Sequence, residues 1–455
     1  MKGYEMRNSK SFIVLLIIMT FCYLIPASGS ALAADQTPLF TINVKEAGAK
    51  GDGIANDTEA FLSALETAAG KPGGGKVLVP EGTYLIDLDE PLRVESYVHV
   101  IGKGEPVLKF TKLSSSASFG YEAFWITGQH IRIDGIHIDG NHKLIRGIGI
   151  HTGSKDVTIT NSSIQNITQA DDPKLPQYNA LISAILIYGN TERITIQQSS
   201  ITGISAIHSD PIARGILVWS EPGQPFARNV KIMNNIFAYI TPREDADAIY
   251  FDKTPSGTSR SDSLIQGNRI HHVAKRGIKI AAPGVTVKDN HITNSYNGDN
   301  PYRFFPVQDP IPQDMFAAIS VYASHVQVMN NTIDGVGSYY SAIEADMGSL
   351  TDIVIENNKI SNGANTNLTD TNGIRLGSIR NFKIANNTIS NMRSGIFSPI
   401  SQNQSGIISN NTISNVEYGI LFLAPTMPYT ESKVQVKNNK IKAHQDHILS
   451  LANLD

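Results

Sequence analysis

Apolar and polar residues alternate in short runs along most of the chain. Each run closes on a pair of Asn residues, or their polar substitutes, shortly before an Ile. The line reads VTITNSSI from Val157, ITIQQSSI from Ile194, VKIMNNIF from Val230 and VTVKDNHI from Val285. It continues as VQVMNNTI from Val326, IVIENNKI from Ile353, FKIANNTI from Phe382 and VQVKNNKI from Val434. Alternation at period two predicts half-buried strands. Recurrence every roughly 22 to 40 residues predicts one small unit stacked many times into a quasi-one-dimensional array. Asn tolerates left-handed backbone, and stacked amides can hydrogen-bond from coil to coil. The Asn positions therefore read as scaffold that sets the register.

Before each Asn line stands a second element, a small residue followed by Ile: Gly147-Ile148, Ala184-Ile185, Gly215-Ile216, Ala248-Ile249, Gly277-Ile278, Ala318-Ile319, Ala342-Ile343 and Gly373-Ile374. With the Ile inside, alternation turns its neighbours outward, and stacking the strands aligns them in columns. One column holds Leu186, Leu217, Tyr250, Lys279, Ser320, Glu344, Arg375 and Phe397. A second holds His151, Tyr188, Trp219, Asp252, Ala281, Tyr322 and Asp346. A third, just before the small residue, holds Arg146, Ser183, Arg214, Asp247, Arg276, Ala317 and Ser341. Aromatic faces beside fixed ions suit a sugar chain, which needs surfaces to stack on and groups to orient it.

The amino end breaks the pattern. Arg7 and Lys10 precede an apolar run from Phe12 to Ile25, and Ala31-Leu32-Ala33 supplies a small-residue cleavage site, the layout of a secretory leader. The expected organisation is a leader over 1–33, a cap with the first coils over 34–110, and repeats over 111–455. Within the cap, Asn56-Asp57-Thr58 offers an N-cap and Phe61, Leu62, Leu65 and Ala68 recur at helical spacing, predicting a helix from Asp57 to Ala69.

Here a resemblance becomes specific. Gly48-Ala49-Lys50-Gly51-Asp52-Gly53, Asp57-Thr58, the glycines Gly73 to Gly75, and Pro80-x-Gly82-Thr83-Tyr84 resemble the opening of the pectate-lyase/rhamnogalacturonase-like superfamily. The resemblance implies an all-β, right-handed parallel β-helix, a pectin-lyase-like solenoid with an N-terminal capping helix. It leaves activity open, since such folds hydrolyse, eliminate, epimerise or merely bind.

The densest chemistry lies in Arg214, Asp247, Asp252, Lys253, Arg276 and Lys279, on three successive coils. The resemblance implies Asp, paired Asp and His on successive coils for a pectin hydrolase. Here Arg214, Asp247 and Arg276 occupy the equivalent column, with Asp245 in place of an adjacent second Asp. An Asp between two guanidinium groups stays ionised and makes a poor general acid. The arrangement suits a salt-bridge ladder, or a calcium ion shared with uronate, the one cofactor considered. It also suits β-elimination, with Arg214 or Arg276 neutralising a uronate carboxylate and Lys253 or Lys279 removing the acidified proton. Asp247, Asp252, Lys253, Arg276 and Lys279 are thus the catalytic candidates. Arg214, Tyr188, Trp219, Tyr250, Tyr322, Glu344, Asp346 and Arg375 are the candidates for holding substrate. Glu344 and Asp346, two apart on one face, form the alternative, a hydrolase pair. In that reading Arg375 holds Glu344 ionised and leaves Asp346, beside Tyr322, as the acid.

Composition trims this picture. The only cysteine, Cys22, falls in the leader, so the mature chain has no disulfide. The formal charge of -3 becomes about -5 once Lys2, Arg7, Lys10 and Glu5 are removed, which argues against nucleic acid as a partner. The apolar run is too short for a confident membrane span. His151, His271, His272 and His325 lack zinc-ligand spacing. The reading is a secreted enzyme acting on an acidic polysaccharide, with elimination ahead of hydrolysis. A non-catalytic carbohydrate-binding or adhesion protein is the rival from another class.

Overall fold

The structure, a computed structural model, describes residues 40–87, 90–112, 122–208, 212–242, 245–253, 259–302, 311–363, 370–399, 404–423 and 431–451. The expected leader lies outside them, as do Arg303, Phe304 and Phe305, in the stretch from Asn300 to Gln313 where the sequence interrupts its repeat.

Within these residues, 37 strands join in one continuous parallel system in which each strand pairs with its counterpart one coil on. The chain is a right-handed parallel β-helix, the hand favoured by connections between twisted parallel strands. Three sheets run along it. The first begins with Phe40–Asn43, Gly75–Val79, Val98–Gly102, Gln129–Asp134 and Lys155–Thr160. The second begins with Asp52–Asn56, Thr83–Asp87, Val107–Lys112 and His137–Asp139. The third takes Leu92–Val94, Glu122–Ile126, Arg146–Ile150, Ile182–Tyr188, Ile212–Trp219, Asp245–Phe251, Arg276–Ile280 and Ala317–Val321. Its later strands start at Ser341 and Asn372.

The recurrent Ile residues fill the bore. Ile148, Ile185, Ile216, Ile249, Ile278 and Ile319 stack directly above one another and are essentially inaccessible to water. Each such side chain contributes about 1.5–3 kcal/mol by leaving water. This stack and the coil-to-coil hydrogen bonds hold the fold.

The Asn pairs divide their labour. The first position turns the corner in left-handed backbone, with φ of 56° at Asn234, Asp289 and Asn330 and 57° at Asn357 and Asn386. The second points inward and forms a ladder through Asn235, Asn268, Asn290, Asn331, Asn358, Asn387, Asn411 and Asn439. Each side-chain amide donates to the next coil's Oδ1 at 2.9–3.1 Å. The same Oδ1 accepts a backbone N–H, and the amide's other hydrogen reaches a carbonyl of the preceding coil, as Asn331 does to Val287 at 3.1 Å. No inner amide is left unsatisfied, as buried polar groups require.

The helix α1 spans Thr58–Ala69 and packs Phe61, Ala64, Leu65 and Ala68 on the first coils, with Phe61 edge-on to Tyr84 at 5.2 Å. The start signal works differently from expectation. The Asp57 side chain makes no cap bond; its carboxylate accepts the N–H groups of Lys50 and Gly51 at 2.6 and 3.1 Å. Asn56 Oδ1 takes the Thr58 N–H at 3.0 Å instead. Gly51 has φ +62°, and a Cβ there would sit 2.7 Å from the Tyr84 ring, so the motif's glycine, acid and tyrosine require one another. These residues close the end of the coil and stand apart from the third sheet's charged columns.

Candidate functional site

The third sheet carries the outward columns in the register that the repeat predicts. Leu186, Leu217, Tyr250, Lys279, Ser320, Glu344, Arg375 and Phe397 are successive partners. So are Arg146, Ser183, Arg214, Asp247, Arg276, Ala317 and Ser341.

Asp247 is the buried centre, fully enclosed. Arg214 Nε lies 3.4 Å from its Oδ2 and Arg276 Nη1 3.7 Å from its Oδ1, yet neither oxygen has a hydrogen-bond partner among the described residues. Its two guanidinium neighbours come from the coils before and after, as expected. Asp245, two residues earlier on the same face, completes the cluster. It pairs with Arg214 Nη2 at 2.5 Å, with Arg276 Nη1 at 3.8 Å, and with the ammonium groups of Lys275 and Lys279 at 3.9 Å each. Burial alone would push the Asp245 carboxyl up, but Arg214 and Lys279 together hold it below its ordinary value. Asp245, noted in the sequence in place of an adjacent second Asp, thus joins the cluster two residues from Asp247.

Lys279 stands in the groove column with its ammonium 4.2 Å from the centroid of the Tyr250 ring. Its side chain keeps 15% of its surface exposed. Burial lowers its pKa below the usual lysine value, with Arg276 and Arg214 adding to the effect and Asp247 and Asp245 resisting it. The Tyr250 hydroxyl donates to Asp252 Oδ1 at 2.5 Å, and burial followed by that bond pushes its phenol pKa well up. Lys253, by contrast, is exposed, and only its backbone N–H enters the network, donating to Asp252 at 2.7 Å. Arg214 is also unlike the substrate-facing group expected of it. Its side chain is 3% exposed and spent on Asp245.

The second cluster is corrected in its contacts. Arg375 does sit one coil beyond Glu344, but its Nε donates to Asp346 Oδ2 at 2.8 Å. Glu344 is held by the other side: Ser320 and Tyr322 hydroxyls donate to its Oε1 at 2.5 Å each, and Arg276 Nε lies 3.7 Å away. Tyr322 therefore serves Glu344 and not Asp346, because its long side chain reaches across to the neighbouring column.

Towards the amino end the same face carries an aromatic row. Trp125 stacks on His151 with centroids 3.6 Å apart, His151 on Tyr188 at 4.7 Å, and Tyr188 meets Trp219 edge-on at 5.9 Å. Buried Glu122 holds His151 Nε2 at 2.6 Å, with Arg146 Nη1 3.5 Å from its other oxygen. Glu122 and Trp125 escape the repeat pattern because the small residue Ala123 is followed by Phe124 where the repeat has Ile. Gly149 makes room for them: a Cβ there would lie 1.8 Å from the Glu122 carboxylate.

Among the described residues, no group of three or more His, Cys, Asp or Glu side chains could hold a metal ion. Asp245 and Asp247 already face cations, so the cluster does not fit the calcium ion that was considered. What remains is an outward face of the third sheet with a lysine of lowered pKa, buried carboxylates beside arginines, and an aromatic row.

Residues 41–169 match the family described as rhamnogalacturonase A/epimerase, pectate lyase-like, and residues 314–454 match the right-handed β-helix region. Plasmin and fibronectin-binding protein A of Streptococcus pneumoniae is 24% identical over 297 residues, covering 57% of this chain and 40% of that protein. The preneck appendage protein of Bacillus phage PZA is 30% identical over 136 residues, 29% of this chain and 15% of its own. This chain thus spans well under half the length of either relative. The structure of PfbA, a surface adhesin of Streptococcus pneumoniae, is similar with a TM-score of 0.63 at 20% identity, covering 83% of this chain and 90% of that one. At that identity the likeness is one of fold.

Proposed function

For a chain that opens with a pectate lyase-like rhamnogalacturonase A/epimerase domain and continues as a right-handed β-helix, we propose secretion and cleavage of an acidic extracellular polysaccharide by β-elimination in the third-sheet groove. The observation that carries the reading is Lys279. A lysine whose pKa burial has lowered gives up its own proton more readily and so can act as a base, and this one projects from the middle of the charged column. The substrate's uronate carboxylate meets the positive side of the cluster, Arg276 with Lys275, which stabilises the charge that develops as the C5 proton leaves. Lys279 Nζ takes that proton, the electron pair forms the C4–C5 double bond, and the C4–O bond breaks. The departing oxygen takes a proton from water. The Tyr188 and Trp219 end of the aromatic row binds further sugars.

Hydrolysis is less favoured because it needs one carboxyl that stays protonated until it reacts. Glu344 and Asp346 are each already engaged by a guanidinium group, Arg276 at 3.7 Å and Arg375 at 2.8 Å, so neither is free to meet a glycosidic oxygen. Binding without cleavage is the second reading, favoured by the balanced pairing of every carboxylate in the cluster. Incubation with a panel of uronate-containing and neutral polysaccharides separates the three. Elimination yields unsaturated ends together with reducing ends, hydrolysis yields reducing ends alone, and a pure binder yields neither while retaining the polysaccharide.

A further inference from the structure

The outer face of the first sheet, near the cap, holds an open trough of about 600 Å³ lined by Lys76, Leu78, His99, Ile101, Lys103 and Arg132, with Thr41 and Asp134 at its edges. Register builds it. Lys76, His99 and Arg132 are successive partners on three coils, and Leu78, Ile101 and Asp134 are partners two residues further on. The trough is therefore a basic column beside a second one, apolar at Leu78 and Ile101 and closed by Asp134, on a protein whose net charge is negative. Arg132 is paired with Asp134 at 2.8 Å, while Lys76 and Lys103 form no ion pair among the described residues. His99 lies between the two cations of its column, its Nε2 against the His130 carbonyl oxygen at 3.2 Å. Burial, and then the charges of Lys76 and Arg132, lower its pKa and favour the neutral form.

We infer that this trough is a second polysaccharide-binding site, separate from the groove, that takes an extended polyanionic sugar chain. Strand spacing puts Lys76 and Arg132 about 9.6 Å apart along the β-helix axis. In a two-fold extended uronate chain, carboxylates on one side recur at a comparable repeat, so one face of the chain meets both cations. Between them His99, Leu78 and Ile101 offer a weakly polar floor for the C–H face of a sugar ring. A phosphate-bearing lipid or nucleic acid would find the two cations but make no use of that floor. The site would keep the enzyme on its polymer between events in the groove, and its existence does not depend on the groove being catalytic.

The test is affinity electrophoresis of the full chain in gels containing polygalacturonate, with dextran as the neutral control, comparing wild type with K76A/R132A and K103A. All three side chains are partly or fully exposed, so the variants should fold, and matching thermal melts check this. The inference expects K76A/R132A to weaken retention about tenfold, K103A to weaken it less, and both to leave dextran migration and the release of unsaturated ends from short oligouronides unchanged. Unchanged polygalacturonate retention in K76A/R132A would overturn it. So would equal retention of wild type by anionic phospholipid vesicles or DNA that the same variant abolishes. A chain that is retained through the trough yet releases no product contradicts the elimination reading alone.

Discussion

The Asn ladder and the charged column are built by the same repetition, one residue per coil in register, and they differ in how their polar atoms are satisfied. In the ladder, every inner Asn gives and receives hydrogen bonds in an unbroken chain. In the column, Asp247 is completely buried between two arginines and neither carboxylate oxygen accepts a hydrogen bond from the described residues. A satisfied ladder stabilises a scaffold, whereas a charged column kept short of hydrogen bonds holds strong fields in a low-dielectric place. Periodicity identifies both; only the accounting of donors and acceptors tells scaffold from site.

Substitutions can break this contrast from either side. The largest effect on stability is expected from Arg276→Ala, which leaves buried Asp247 with Arg214 as its remaining cation and removes the guanidinium beside Glu344, and should cost about 3–5 kcal/mol. Urea denaturation measures it, and a change below about 1 kcal/mol would mean that the column is not the coupled unit described. Asn331→Ala removes an inner rung and strands its neighbours, at a cost of about 1–3 kcal/mol. The same change at Asn439, at the end of the ladder and only partly buried, should cost less. Neither Asn change should alter product formation per folded molecule, and an Asn331→Ala protein that is stable but inactive would end the claim that the ladder is scaffold alone.

A smaller effect sharpens the comparison by pH. Elimination needs neutral Lys279, so turnover should rise with pH through a midpoint below the ordinary lysine value. Asp245 opposes that depression, so Asp245→Asn should move the midpoint further down. A midpoint that stays put or moves up would remove Lys279 from the proton transfer.

The fold was legible because its signals repeat. The alternation, the Asn pairs and the small-residue–Ile elements each recur often enough to fix the register, and the columns follow from it. The site was legible as positions but less as contacts. Strand order places Arg375 beside Glu344, yet side-chain reach decides that Arg375 binds Asp346 while Tyr322 crosses to Glu344. Lys253 and Lys279 look alike in the sequence, and burial alone separates them. Glu122 and Trp125 were missed because their strand departs from the repeat at Phe124, where an aromatic replaces the expected Ile. Asp57 has the form of a helix cap but spends its carboxylate on the glycine turn before it.

The most direct test of the central claim is the release of unsaturated uronate ends from polygalacturonate by wild type and Lys279→Ala, at equal concentrations of folded protein and with binding measured alongside. The account expects product from wild type, a loss of about 10²–10⁴-fold in the variant, and nearly unchanged binding. Equal rates from the two proteins, or reducing ends without unsaturated ones, would contradict it.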